Sequence, residues 1–535
     1  MPSLGSAPVP RPSSDVRRAE HRYALRVPSP ETRRGAPTPP VPLPVNPTVR
    51  IIARQVPVPD SLVTAWTAAG IAVSTDPEDL AEHGRDWWPL TQAWAIHDSA
   101  IPSSPAVVVR PTTTEQVAAV LRACSDHVVP VTPMAGRSGV CGASLPVHGG
   151  VALDLTGLHG IIGVDPTSLT VDVRAGTFGD VLEDDLRAEH GLTLGHWPQS
   201  VALSTVGGWL ACRSAGQYSN RYGKIEDMVV GLTAVLADGT VLRTGGRAPR
   251  AAVGPDLAQL LLGSEGTLGV ITEARLRLRP TAAAEGRSAW EFASFLDGLE
   301  GCRRILRRGA SPAVLRLYDE RESRRLGDPS RGTRPTGCAL LVLDEGDPLL
   351  VRASLEIVAD EAKAIGATGL DASLLEGWLH HRNDVSQLAS VIANDIVVDT
   401  IEVAGSWAAL PEIWAGAISA VGAVPGVMVA SCHQSHAYVD GACLYFTVAG
   451  RAPDGTGRDQ FYRAMWDAAT EATLAAGGAL SHHHGVGLNR ARYMPAALGA
   501  GHVLLARLKA MMDPKGILNP GKLGLPDPFG EVGWP

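Results

Sequence analysis

The run GSEGTLGVITEA, Gly263 to Ala274, places three glycines within seven residues. That composition suits neither a stable helix nor a packed strand, and it lets a backbone come close to a bound group. A strand follows at once. Ala274, Leu276 and Leu278 alternate with Arg275, Arg277 and Arg279 up to Pro280, the period-two pattern of a half-buried strand. The arginines read as its solvated face. A glycine loop feeding a strand is the local chemistry of a phosphate or cofactor cradle, or of a tight turn. The surrounding sequence decides between them.

Upstream, Ala106 to Val109 reads as a strand, and Thr113 to Gln116 as a capping box opening a helix through Val117, Val120 and Leu121. A second apolar run, Val128 to Val131, reads as the next strand and leads into the glycine-rich PMAGRSGVCGASLP, Pro133 to Pro146. GxGxxG and GxxxxGK[ST] are both absent, which disfavours a nicotinamide-type Rossmann site and a nucleoside triphosphatase. Leu169, Val171 and Val173 form a half-buried strand, and a helix from Phe178 stops at Gly191. Val229–Leu236 and Val241–Arg243 flank Asp238-Gly239, a hairpin signal. In QSVALSTVGGWLACRSAG, Gln199 to Gly216, Ser204 and Thr205 are suited to cap a helix whose N-terminus points at phosphate.

The chain has 535 residues, which implies more than one domain, and a net charge of −8, which gives no general attraction to nucleic acid. No apolar run approaches the roughly 20 residues of a spanning helix. Seven scattered cysteines without a CxxC pair read as buried thiols in a reducing compartment. With no apolar stretch suited to export, a cytoplasmic location is expected. Trp87, Trp88 and Trp94 read as packing residues. Expected boundaries are a disordered leader 1–48, an α segment 49–100, a cofactor domain 101–282, a cap domain 283–476 and a C-terminal segment 477–535 returning to the site.

Five motifs in order carry a resemblance: STVGGW, YGKIEDMVV, GPD, GSEGTLGVITEA and SHHHGVG. Together they resemble the PCMH-type FAD-binding flavoproteins of the vanillyl-alcohol-oxidase fold, and within them the alkyldihydroxyacetonephosphate synthases and FAD-linked oxidases. ILNPGK, Ile517 to Lys522, is similar to the ending of relatives that oxidise 2-hydroxyacids. The resemblance implies an α+β fold: a two-subdomain FAD-binding domain, an α+β cap that takes the substrate, and a C-terminal segment completing the flavin site. It implies non-covalent FAD, since no histidine lies in the pyrophosphate loop.

By the same resemblance, Pro133, Met134, Ala135, Gly136, Arg137, Ser138 and Gly139 hold the pyrophosphate. Gln199, Ser200, Ser204, Thr205, Cys212, Arg213, Ser214 and Ala215 line the flavin and its ribityl chain. Gly263, Ser264, Glu265, Gly266, Thr267, Leu268 and Gly269 pass beside the adenosine half, and Asn519 completes the site. Ala135 stands where the family has a glycine, removing an option for positive φ. Arg137 would add charge against a phosphate.

His482, His483 and His484 are implied to stand near the flavin ring and substrate. In SCHQSHAYVDGACLYFTVAGRA, Ser431 to Ala452, gapless counting puts His433 where the synthases have an arginine and Ala452 where they have a tyrosine. Alanine cannot move a proton. Tyr445, or Arg451 after a local shift, is the nearest substitute. His433 and His436 suit general-base work, and Arg382 suits a carboxylate or phosphate. No metal is expected, although His482 and His484 with His433 or His436 offer metal-ligand chemistry.

The resulting expectation is an FAD-dependent oxidoreductase acting on an alcohol or 2-hydroxyacid carbon. The alternative is an alkyldihydroxyacetonephosphate-synthase-like transferase exchanging an acyl for an alkyl group. A small-molecule substrate (hydroxyacid, alcohol or acyl-dihydroxyacetone phosphate) is expected, with no nucleic acid and no transmembrane segment; a homodimer is an open expectation.

Overall fold

A computed structural model of the chain describes residues 41–246, 249–327, 334–385 and 387–533. Most of the expected leader thus lies outside the described residues. Within it, Val41 is buried and its carbonyl accepts a hydrogen bond from Arg85 at 2.6 Å.

The first sheet has four strands: β1 (Ala72–Ser74), β2 (Val107–Arg110), β3 (Val131–Met134) and β4 (Val151–Asp154). Their order is β1-β2-β4-β3, with β2, β4 and β3 parallel and β1 antiparallel. The helix α1 (Thr114–His127) makes the crossover from β2 to β3. Thr113 caps it by accepting the Gln116 N–H. The Gln116 side chain reaches back to the N–H of Thr112, not Thr113, so the capping box is displaced by one residue. The apolar run at Val128 is not all strand. Val128 closes α1 in the left-handed conformation at φ 54°, because the chain must reverse before β3 can begin at Val131. Pro133 is tolerated on β3 because its strand lies at the sheet edge.

The second sheet is antiparallel: β5 (Ile161–Asp165), β6 (Thr170–Arg174), β7 (Val229–Val235), β8 (Val241–Arg243) and β9 (Val270–Arg277). Its order is β8-β7-β9-β6-β5. α2 (Gly179–His190) ends at Gly191 in the left-handed region, and α3 (Val206–Cys212) begins at the Thr205 cap. On β9, Ala274 and Leu276 are buried, as is Leu278 just beyond it. The facing arginines are less solvated than expected. Arg275 binds Asp172 through two nitrogens at 2.7 and 2.6 Å, and Arg277 donates to the carbonyls of Asp227 and Val229.

The third sheet has seven antiparallel strands: β10 (Ala284–Phe292), β11 (Val314–Tyr318), β12 (Cys338–Gly346), β13 (Thr368–Leu370), β14 (Val397–Ser406), β15 (Val427–Ala437) and β16 (Gly441–Gly450). Their order is β13-β10-β12-β11-β15-β16-β14. One face buries Leu315, Leu317, Leu340, Val342, Leu444 and Phe446. Alternation then sends Arg316, Tyr318 and Tyr445 to the opposite face. Short helices α4 (Glu320–Ser323) and α5 (Ser373–His381) border that face.

The C-terminal segment returns to the first sheet. The Val131 N–H donates to Ile517 and the Asn519 N–H donates to Val131, both at 2.8 Å, extending the open edge of β3. All seven cysteines are free. Trp88 and Trp94 are fully buried in the core. No helix among the described residues is long and apolar enough to cross a membrane.

Gly266 joins two of these parts. It has φ 73°, and a Cβ there would lie 2.9 Å from Pro133 Cγ. Gly266→Ala is therefore expected to destabilise the protein by about 1–3 kcal/mol, measured by denaturant unfolding; an unchanged midpoint would contradict this contact.

Candidate active site

A cavity of about 1140 Å³ lies where the three sheets converge. That exceeds the roughly 300–1,000 Å³ of most small-molecule sites. All of Pro133–Gly139 lines it, with Gln199, Ser200, Ser204, Thr205, Cys212, Ser214, Ala215, Ser264, Glu265, Gly266 and Gly269. The left-handed position of the first loop is Arg137, at φ 51°, and not Ala135. The alanine therefore costs the loop nothing.

Arg137 turns the two terminal nitrogens of its guanidinium away from the cavity. Its two terminal nitrogens donate to the Glu82 carbonyl at 2.9 Å and the Glu82 carboxylate at 3.4 Å. Only Nε is left at the wall. Thr205 alone caps α3, because Ser204 Oγ instead accepts the Trp209 indole N–H at 2.7 Å. Seven buried polar atoms of residues lining the cavity have no hydrogen-bond partner among the described residues: Trp87 Nε1, Arg137 Nε, Ser144 Oγ, Gln217 Oε1, Arg382 Nη1, Ser435 Oγ and His484 Nδ1. Buried polar groups are nearly always paired, so these match a large polar ligand. Trp87 is thus a wall residue, unlike Trp88 and Trp94.

Six expected site residues stand behind the wall. Arg213 turns at φ 54° and reaches Glu226 at 3.4 Å. Gly263 packs against the Arg213 side chain. Thr267 donates its hydroxyl to the Ser264 carbonyl, and Leu268 is buried in apolar core. Asn519 donates to the carbonyls of Ala143 and Glu265, tying the C-terminal segment to both loops. His482 lies 3.1 Å from the Tyr438 hydroxyl through Nε2.

Two buried carboxylates shape the histidine loop. Glu402, on β14, accepts the backbone N–H groups of His482 and His484 at 2.6 and 2.7 Å and the Ser481 hydroxyl at 2.7 Å. It pairs with the buried Arg490 at 2.9 Å. Glu265, from the opening glycine run, accepts the N–H groups of Val486 and Gly487 at 2.6 and 2.9 Å. His483 and His484 then face the cavity. His482 instead joins a chain of contacts: His483 Nδ1 to His482 Nδ1 at 2.9 Å, then Tyr438, Ser219 Oγ and His436 Nδ1 at 2.7 Å. Ring nitrogens of His436, His482 and His483 lie within 4.8 Å of one another, a different trio from the one the sequence suggests.

His433 and His436 both reach the cavity because β15 carries a bulge between Gln434 and His436. Without the extra residue, strict alternation would send one of them to the other face. His433 stacks on Tyr445 at 4.9 Å and lies 5.4 Å from Tyr318. Its Nδ1 is 2.7 Å from Glu322 Oε2, and its Nε2 is 2.5 Å from Arg316 Nη2. Glu322 Oε1 also accepts the hydroxyls of Ser431 and Thr447. An ionised carboxylate only accepts, so the proton sits on His433 Nδ1 and Nε2 is the basic nitrogen.

Sequence reasoning missed Arg316 and Glu322. A lone charge inside the apolar run AVLRLY, Ala313 to Tyr318, was the available signal for Arg316; Glu322 sits in an ordinary charged turn and gave none. Arg382 reaches the wall, 5.0 Å from the Tyr218 ring and 5.7 Å from Trp378. Ala452 does not; it packs half-buried against the cap core.

Burial lowers the pKa of His433, His436, His482, His483 and His484. His436, His482 and His483 fall well below the ordinary value, and His484 to about 4 despite the opposing pull of Glu402. For His433, burial and then Arg316 lower it while Glu322 opposes. Burial pushes Glu322 up, but His433 and the hydroxyl donors outweigh it and hold the carboxyl at about 2. At neutral pH these histidines are proton acceptors.

Residues 105–245 match the family described as FAD binding domain, and residues 283–523 that of FAD linked oxidases, C-terminal domain. The uncharacterised FAD-linked oxidoreductase YgcU of Escherichia coli (strain K12) is 32% identical over 434 residues, 78% of this chain and 89% of that protein. The chain belongs to the FAD-linked oxidoreductase family. FAD is accordingly its cofactor. It is also similar to the alkyldihydroxyacetonephosphate synthase of Dictyostelium discoideum (30% identical; 79% of this chain, 74% of that one). Glycolate oxidase subunit GlcD of Bacillus subtilis (strain 168) is 29% identical, covering 79% of this chain and 89% of its own length. A solved alkyldihydroxyacetonephosphate synthase shares the fold, with TM-score 0.72 at 24% identity, covering 90% of this chain and 88% of that one.

A histidine held neutral by burial favours the native state above its unfolded pKa, and that stability is lost as pH falls from about 6.5 towards 4 for His484. Buried Asp86, raised to about 7 by burial, acts in the opposite sense. The comparison is therefore between proteins. His484→Gln is expected to remove up to ~1.4 kcal/mol per pH unit of slope across that window, read by urea unfolding at several pH values. Parallel stability profiles would refute the assignment.

Proposed function

We propose that this FAD-linked oxidoreductase oxidises a small anionic hydroxy compound, a 2-hydroxyacid or related alcohol, with FAD bound non-covalently. One observation carries the reading. Four histidines kept neutral by burial (His433, His436, His483 and His484) share a cavity whose lining includes Arg316, Arg325 and Arg382. Neutral histidines accept the hydroxyl proton, and guanidinium groups hold a carboxylate or phosphate.

FAD, when bound, supplies the hydride acceptor at N5. The Pro133–Gly139 loop, the Thr205-capped α3 and the Gly263–Gly269 run would hold it, and the unpartnered polar atoms at the wall fit such a ligand. His433 has the best-defined tautomer of the four, so its Nε2 is the base favoured for the hydroxyl proton.

A second reading, exchange of an acyl for an alkyl group, draws on the similarity to the Dictyostelium synthase. Tyr445 at the cavity wall favours it; Ala452, outside the cavity, speaks against it.

Anaerobic mixing with a panel of 2-hydroxyacids is expected to bleach the bound flavin, and His433→Gln to slow that bleaching about 10²–10⁴-fold while FAD is retained. Should no hydroxyacid or alcohol bleach it, while acyl-dihydroxyacetone phosphate plus a fatty alcohol turns over, the oxidation reading fails and the exchange reading replaces it.

A further inference from the structure

Arg316 is an unusual cation. Its charge is permanent, yet no carboxylate pairs with it among the described residues, and its hydrogen bonds go to neutral acceptors. Nε donates to the Tyr318 hydroxyl at 2.7 Å and Nη2 to His433 Nε2 at 2.5 Å. The guanidinium lies at the cavity wall, 5.3 Å from the Tyr318 ring and 5.9 Å from Trp378. It thus blocks the one nitrogen of His433 that can take a proton. Glu322 holds the other nitrogen and, through Ser431 and Thr447, is itself fully satisfied.

We propose that Arg316 is a substrate-operated cap on His433: a carboxylate or phosphate entering the cavity draws the guanidinium away from Nε2, exposing the base only when substrate is present. This rests on the oxidation reading for its consequence but not for its geometry. The guanidinium is already charged, so an anion adds a full charge–charge attraction and bidentate geometry that a neutral imidazole lacks, and it outcompetes imidazole for the same N–H. The step moves no electrons. One hydrogen bond to Nε2 breaks and one to the anion forms, and Nε2 is left to accept the substrate's hydroxyl proton. The resulting imidazolium stands against Glu322, which compensates its charge.

The groups facing His433 are Glu322 from α4, Arg316 and Tyr318 from β11, Tyr445 from β16 and His436 on its own strand. Glu322 favours the protonated ring and Arg316 opposes it. Withdrawing Arg316 and adding a negative charge both raise the proton affinity of Nε2. Anion binding without a hydroxyl to deprotonate must therefore take up a proton.

The probes are oxalate, as a carboxylate, and inorganic phosphate, titrated into the FAD-loaded protein by calorimetry at pH 6.5 in buffers of different ionisation enthalpy. At least one anion is expected to bind with measurable proton uptake; which one binds identifies the substrate's charged group. His433→Gln is expected to bind the same anion with the uptake abolished. Arg316→Gln, checked for FAD content and unfolding midpoint, is expected to lose about tenfold or more in anion affinity. Arg316→Lys should restore part of it. Binding with the same proton uptake in wild type and His433→Gln, or no binding of either anion, overturns the cap. If uptake is seen but no hydroxyacid bleaches the flavin, the oxidation reading fails and the cap stands. If hydroxyacids bleach the flavin while Arg316→Gln keeps the wild-type KM and pH profile, the cap alone fails.

Discussion

Glu265 forms the joint on which the site depends. Its backbone occupies the left-handed region at φ 50°, which costs a non-glycine residue about 1–2 kcal/mol. Its carboxylate is buried and accepts the N–H groups of Val486 and Gly487, while its carbonyl takes the Asn519 amide. Next to it, Gly266 packs on Pro133. A single residue pair in the glycine run thus fixes three other segments: the loop after β3, the histidine loop and the C-terminal return. Lys509 adds a fourth tie, donating to the carbonyls of Thr267 and Leu518. The backbone strain is tolerated because the contacts around it determine the conformation.

Donor supply separates Glu402 and Glu322 from the histidines, whereas burial raises the pKa of Glu265 despite its N–H donors from Val486 and Gly487. Glu402 has two N–H donors, a hydroxyl and Arg490, and its pKa is lowered even though burial pulls the other way. Glu322 is treated alike. The histidines meet mostly each other and Lys224 or Arg316, so burial wins and they stay neutral. A row of neutral imidazoles positioned by ionised carboxylates suits proton acceptance at neutral pH.

Much of this was legible in the sequence because it is local. The alternation after Gly269 gave β9 its buried face, Asp238-Gly239 gave its hairpin, and Thr113 and Gly191 gave helix ends. The glycine and histidine loops stood out by composition, and their order carried the family. What escaped was set by long-range geometry. Nothing local shows that Arg137 turns to Glu82 or that Asn519 stands behind the wall. The bulge at Ser435, which brings His433 and His436 to one cavity, depends on pairing with β16. Glu322 is a partner of His433 only because α4 folds back onto β15 across 111 positions. Val128 was misplaced because an apolar residue at a helix end looks like the start of a strand.

The central claim is that the flavin site exists as one unit because Glu265 locks the glycine run to the histidine loop. FAD affinity of the apoprotein, measured by quenching of flavin fluorescence for wild type, Glu265→Gln and Glu265→Ala, tests it directly. Glu265→Ala is expected to bind FAD about tenfold or more weakly, with Glu265→Gln between it and the wild type. Wild-type affinity in Glu265→Ala, in a protein that still folds, would contradict it.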